Sequence, residues 1–184
     1  MTQTVKLSFS HVGVFVNDLE KMVDFYTRVL GLMVSDRDVR DDGSEIAFLT
    51  GDPREHHQVV FATGRPADLK YNMIQQISFR APSLAALRDT YRKLTKEPIL
   101  ELGPVTHGNA ISTYFRDPEG NRLEVFIDMP WHVPQPFRIP LEMDKSDQEL
   151  LSFVEDSIRA TPGFVSRAQW TAEIAAKLSH SHKH

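Results

Sequence analysis

From Leu7 to Val16 the chain alternates apolar and polar positions, the pattern of a half-buried strand. The spacing then becomes helical, with Leu19, Met22, Val23, Tyr26 and Leu30 along one face. Asp18 stands where an N-cap belongs and Gly31 where a helix ends. The same succession returns 65 positions later: His11 registers with Gln76, Asp18 with Ser83, Leu19 with Leu84, Met22 with Leu87, Tyr26 with Tyr91 and Val29 with Leu94. A repeat of this length means two copies of one supersecondary unit.

Strand candidates separated by turn residues follow each helix. In the first half they are "GLMVSDRDV", "SEIAFLTG" and "HQVVFATG"; in the second, "PILELGPV", "AISTYFR" and "RLEVFID". The last two are joined by Asp117-Pro118-Glu119-Gly120-Asn121, a hairpin signal whose role is structural. Each half reads βαβββ. The expected fold class is α+β: two paired βαβββ modules forming a cup-shaped mixed β-sheet with the helices outside. The domain spans residues 5–130, its modules about 5–64 and 70–128.

Strand parity selects the residues that face the cup. Val12, Val14 and Val16 form the helix-side face of the opening strand, so His11, Gly13 and Phe15 face the other way. By the same rule Gln76 and Ser78 lie opposite Ile77 and Phe79, Tyr114 lies opposite Thr113 and Phe115, and Glu124 and Phe126 lie opposite Leu123, Val125 and Ile127. His11, Gln76, Tyr114 and Glu124 thus share the concave side. In "HHQVVF" parity does not choose between His57 and Gln58. Phe15, Phe61 and Phe126 are expected to line the cup with apolar surface.

Residues 131–184 form an extension. "DMPWHVPQPFRIPLEM" carries four prolines and is expected as extended surface chain. "SDQELLSFVEDSIRA" and "SRAQWTAEIAAKL" read as one or two short helices, with Trp131 and Trp170 as anchors on the body or on a second subunit. The tail "SHSHKH", with alternating His180, His182 and His184, is expected to be flexible and to bind metal adventitiously.

Composition narrows the chemistry. With 184 residues and 41 % hydrophobic content, one domain plus an appendage is expected. A formal charge of -4 comes from scattered charges without a basic stripe, which argues against nucleic acid as partner. Neither a secretory signal nor a membrane span of roughly 20 apolar residues is read in the sequence, so a cytoplasmic location is expected. The absence of Cys removes disulfides, thiolate nucleophiles and Cys-held metals. Any metal must be held by imidazole, carboxylate or amide.

The two βαβββ units, opening with "HVGVFVNDLEKMVDFYTRVLGL" and closing with "YFRDPEGNRLEVF", resemble the vicinal oxygen chelate superfamily of glyoxalases, fosfomycin-resistance proteins and extradiol dioxygenases. The resemblance covers about residues 6 to 130 and is nearest to the catalytic module of type I extradiol dioxygenases, the catechol 2,3-dioxygenase-like group. It implies metal ligands at His11, Gln76 and Glu124, an acid/base His at His57 in the His56-His57 pair, and substrate contacts from His107 and Tyr114. Five of the six positions match. Gln76 stands where the group carries His, and is either a weaker amide ligand or the relic of a lost one.

The resemblance further implies Fe(II), with Mn(II), Zn(II) or Ni(II) as alternatives, an aromatic diol and O2 as substrates, and a homodimer. Two other readings stay open: a glyoxalase-like isomerase or lyase, and a metal-free protein that sequesters an aromatic small molecule.

Overall fold

The computed structural model describes residues 8–69 and 71–181. His182, His184 and the side chain of His180 lie outside the described residues, and with them the tail motif. The first module runs β1 (Val12–Val16), α1 (Leu19–Arg28), β2 (Met33–Val39), β3 (Glu45–Thr50) and β4 (Val59–Thr63). The second runs β5 (Ile77–Arg80), α2 (Leu84–Leu94), β6 (Gly103–Thr106), β7 (Ala110–Arg116) and β8 (Arg122–Asp128). The repeat is therefore one of structure, βαβββ twice.

Local chemistry explains the boundaries. The Asp18 carboxylate accepts from the Lys21 N–H at 3.0 Å, and the Ser83 hydroxyl accepts from Ala86 N–H at 3.2 Å, so both helices begin on side-chain caps. Gly31, at φ +77°, supplies the left-handed turn after α1. The strand expected in "PILELGPV" is confined to its last part. Residues 98–102 lie outside it, with Glu101 at φ +59°, a conformation incompatible with a ladder.

In the first sheet the order is β1-β4-β3-β2, with β1 and β4 parallel. In the second, β5 and β8 are parallel and β6-β7-β8 form an antiparallel meander. The helix-side faces of both sheets and the apolar stripes of both helices meet in one core. Tyr26 is its hinge. Its ring packs edge-on against Phe61 at 4.8 Å and approaches Phe79 of the second module at 6.3 Å, while its hydroxyl donates to Asp117 at 3.0 Å. Burial, reinforced by that carboxylate, pushes the Tyr26 hydroxyl well above its ordinary value; burial also holds the Asp117 carboxyl above its usual range. The Glu119 carboxylate accepts from the backbone N–H of Asn17 and Asp18, at 2.7 and 2.8 Å, and ties the second module's hairpin to the start of α1.

Phe61 does not line the cup. It is fully buried on the helix side because it stands beside Val14 in the parallel register, and neighbours across a ladder share a face. Phe15 faces outward as expected and is 56 % exposed. Since a buried Leu or Phe contributes about 1.5–3 kcal/mol, joining the two helix-side faces outweighs leaving the opposite faces open. β1 and β5 are consequently edge strands, and among the described residues no ladder joins them.

The extension returns over the second module. β9 (Trp131–His132) pairs with β11 (Val165–Ser166), and β10 (Ile139–Pro140) adds to the open edge of β6. α3 (Asp147–Ile158) starts on a Ser146/Glu149 capping box and sends Leu150 and Val154 into the main core. α4 (Arg167–Ser181) follows. Among the described residues no helix is long and apolar enough to cross a membrane.

Candidate metal centre and substrate cavity

His11 immediately precedes β1, and the parallel pairing of Val12 with Val59 brings the residues before β4 alongside it. The His11 and His57 rings lie 4.3 Å apart. The choice that parity left open is thereby made: His57 faces His11, while the Gln58 side chain turns away and accepts from the Gly51 N–H at 2.9 Å. His57 Nδ1 is 2.9 Å from His56 Nδ1. Desolvation, then the neighbouring His11 and His56, hold His57 below the ordinary imidazole value, which keeps it neutral and able to accept a proton.

In the second module Tyr114 and Glu124 are direct cross-strand partners on the outward face. They are 8 % and 7 % exposed. Glu124 Oε2 accepts from Ser78 Oγ at 2.6 Å and from Gln76 Nε2 at 3.1 Å. Because Gln76 donates through its nitrogen, its amide oxygen has no hydrogen bond among the described residues. Burial and the adjacent Glu124 push the Tyr114 hydroxyl up to about 12, so it stays protonated as a donor.

His107 completes this group. Its Nδ1 is 2.8 Å from the Phe137 carbonyl and its Nε2 is 3.0 Å from the Tyr114 hydroxyl. A carbonyl only accepts, so Nδ1 carries the proton and Nε2 is left to accept from Tyr114. Gly108 permits the arrangement. Its φ is +74°, and a Cβ there would lie 2.6 Å from Val133 and 2.8 Å from Ile158.

The structure thus gathers the six expected site residues into two groups, His11 with His57, and Gln76 with Glu124, Tyr114 and His107. One cavity holds the second group together with Trp131, His132, Gln135, Arg167 and Trp170 of the extension, and among the described residues none of the first module lines it. No cluster of three or more His, Asp or Glu able to hold a metal occurs among the described residues. The reason lies in the packing: the helix sides face each other, so the two outward faces point away from the shared core.

Sequence reasoning placed Ser78 on the concave side but assigned it no role; it is the shortest contact of Glu124. That the extension walls this cavity is not legible in the sequence, although Trp170, stacked on His132 at 4.9 Å, is one of its two expected anchors.

Residues 8–125 match the profile of the Glyoxalase/Bleomycin resistance protein/Dioxygenase superfamily. The chain belongs to that superfamily. As a superfamily member it is 33 % identical over 133 residues to biphenyl-2,3-diol 1,2-dioxygenase 2 of Rhodococcus globerulus, covering 70 % of this chain and 65 % of the relative. Against metapyrocatechase of Pseudomonas sp. (strain CF600) it is 28 % identical, covering 64 % of this chain and 38 % of that enzyme. A lactoylglutathione lyase of Arabidopsis thaliana is also 28 % identical, covering 70 % of this chain and 46 % of the relative. The chain therefore spans two thirds or less of these relatives. The fold matches the fosfomycin resistance protein FosX of Listeria monocytogenes, complexed with Mn(II) and sulfate, at TM-score 0.55 and 16 % identity over 68 % of this chain and 95 % of that one. These dioxygenase and lyase relatives are enzymes acting on small molecules.

Proposed function

We propose that this protein is a metal-dependent extradiol-type dioxygenase that opens a catechol-like ring with O2. It acts as a homodimer in which His11 of one copy meets Gln76 and Glu124 of the other. The observation that carries this reading is the Glu124 carboxylate: 7 % exposed, on an outward face, and held only by neutral donors. A buried carboxylate without a cation is costly, so a divalent ion is the natural complement.

The donors fit such an ion chemically. An imidazole, a free amide oxygen and a carboxylate make a neutral-plus-one-anion set that leaves positions open for a diol and O2. Fe(II), when bound, would supply Lewis acidity and a path for electrons from the diol, which is the species oxidised, to O2. The chain's own residues do the rest. His57, neutral and beside His11, accepts a phenolic proton. Tyr114, held at the cavity by His107 Nε2, turns its single O–H from that nitrogen to a substrate oxygen as it gains charge. The extension's Trp170 and His132 wall the cavity on one side.

An exposed outward face at β1, two unpaired edges at β1 and β5 and two incomplete residue groups in one chain are what a two-fold dimer would complete, since such an interface uses both patches twice. Mixing tests it. His11→Ala and Glu124→Ala are each expected to be inactive, yet subunit exchange between them should restore about a quarter of wild-type activity, because half the dimers are mixed and each has one intact site. No recovery on mixing would rule out the shared centre.

A second reading rests on Gln76. An amide oxygen in place of imidazole suits Zn(II), Ni(II) or Mn(II) and a glyoxalase-like isomerase or lyase. Metal analysis of protein purified without added metal separates the two. Iron together with a yellow ring-fission product from 2,3-dihydroxybiphenyl supports the dioxygenase; zinc, nickel or manganese without that product supports the lyase. Binding of an aromatic ligand indifferent to chelator would favour a metal-free binding protein instead.

A further inference from the structure

Gln135 is an exposed residue that lines the cavity, and water could satisfy its amide. The side chain instead folds back on nearby backbone and uses both ends of the amide. Its Nε2 donates to the His107 carbonyl at 2.8 Å and to the Val133 carbonyl at 3.3 Å, while its Oε1 accepts from the Phe137 N–H at 3.1 Å. The partners fix which end is which: a flipped amide would set its oxygen against two carbonyls and its NH2 against an N–H. Holding a long polar side chain in one rotamer costs conformational entropy, which these bonds offset.

The contacts close a circuit on His107. Gln135 ties the His107 carbonyl to the Phe137 N–H, and the Phe137 carbonyl in turn accepts from His107 Nδ1–H at 2.8 Å. His107 is thus held at its backbone and at its ring by one strap, residues 133–137. Its seat is equally fixed. The His107 N–H donates to the Ala110 carbonyl at 2.9 Å and the Gly108 N–H to Thr106 Oγ1 at 2.9 Å, while Val133 and Ile158 occupy the space that a Cβ on Gly108 would need.

The consequence falls on Tyr114. A neutral imidazole carries one proton, and without a fixed partner it samples both tautomers. With the proton on Nδ1, Nε2 accepts from the Tyr114 hydroxyl at 3.0 Å. With the proton on Nε2, the ring would donate to that oxygen and turn its O–H to the other neighbour able to take it, the Glu124 carboxylate across the ladder. Glu124 would then accept from Tyr114 with an oxygen that the proposed cation needs.

We infer that Gln135 is a positioning residue: it sets His107 in the Nδ1–H tautomer and so keeps the Tyr114 proton on His107, off Glu124, until a substrate oxygen draws it. This rests on the dioxygenase reading for the consequence to turnover only; the tautomer is a property of Gln135, His107 and Phe137.

The tautomer can be read directly. Long-range 1H–15N correlation spectra of the full chain with 15N-labelled histidine, chelator-treated so that no paramagnetic iron broadens the signals, distinguish a protonated ring nitrogen from a bare one, and His107→Gln identifies the signals of His107. Wild type should show one form, protonated at Nδ1. Gln135→Met, close to Gln in length but without its hydrogen bonds, should bring in the Nε2–H form, with Nδ1 moving toward the unprotonated position and Nε2 away from it. In turnover kcat should fall about tenfold, with KM and iron content unchanged. In a Tyr114→Phe background, which has no hydroxyl proton to direct, the same substitution should change kcat by less than about twofold. A purely structural loss would lower both backgrounds alike. Wild-type His107 protonated at Nε2, a tautomer unchanged by Gln135→Met, or equal falls in both backgrounds overturns the inference, and the first of these is decided on wild type whether or not the variant folds. A tautomer that shifts in Gln135→Met while wild type cleaves no catechol keeps the role of Gln135 and removes the dioxygenase.

Discussion

The two modules share one plan yet present their candidate groups differently. In the first, His11 is exposed, its ring touches His57, and among the described residues its polar contact is Ser10 at 3.4 Å. In the second, Glu124 is buried, its oxygen takes two donors, and His107 and Tyr114 are oriented by each other and by the Phe137 carbonyl. The extension makes the difference. It walls the cavity of the second module, so one half of the proposed centre is preorganised and the other awaits a partner surface.

That contrast is broken most severely by removing its buried member. Glu124→Ala should cut bound iron and ring-cleaving turnover by at least a hundredfold, and also lower stability by about 1–3 kcal/mol, because Gln76 and Ser78 lose their acceptor. His11→Ala should abolish iron binding equally but shift stability by less than about 0.5 kcal/mol, as expected for an exposed position. Iron content and urea unfolding on the same two variants measure both. Equal destabilisation would erase the asymmetry.

Tyr114→Phe tests the orienting chain. Loss of one preorganised donor should lower kcat about a hundredfold while iron content stays at the wild-type level. A variant with wild-type kcat would remove Tyr114 from the reaction.

The contact that turns the two outward faces apart is next. Tyr26→Phe leaves the buried Asp117 carboxyl without one donor and should destabilise by about 1–2 kcal/mol in urea unfolding, with iron affinity of the folded protein unaltered. The smallest effect expected is a gain. Gln76→His should strengthen iron retention against chelator about tenfold, since imidazole is the better donor, and sharpen the second module further. No change would mean that position 76 does not reach the metal.

Much of this was legible along the chain. The period of Leu19, Met22, Val23 and Tyr26, the caps Asp18 and Ser83, and the 65-residue register announce two βαβββ units, because these are local signals decided by neighbours within a turn or two. Parity placed Gln76, Tyr114 and Glu124 on one face, and the register Tyr114 to Glu124 agrees. It failed for Phe61, whose face depends on where β4 begins, and it left His57 and Gln58 undecided for the same reason.

The sequence alone determined the repeat, the helix caps, the faces of most strands and the donor types available, all consequences of side-chain chemistry acting over a few residues. Only the tertiary structure decided that the two apolar faces bury each other, that the extension walls one cavity, and that His11 and Glu124 end on separate faces of one chain. Burial is a competition among all apolar surfaces at once, and its outcome is fixed when distant segments meet.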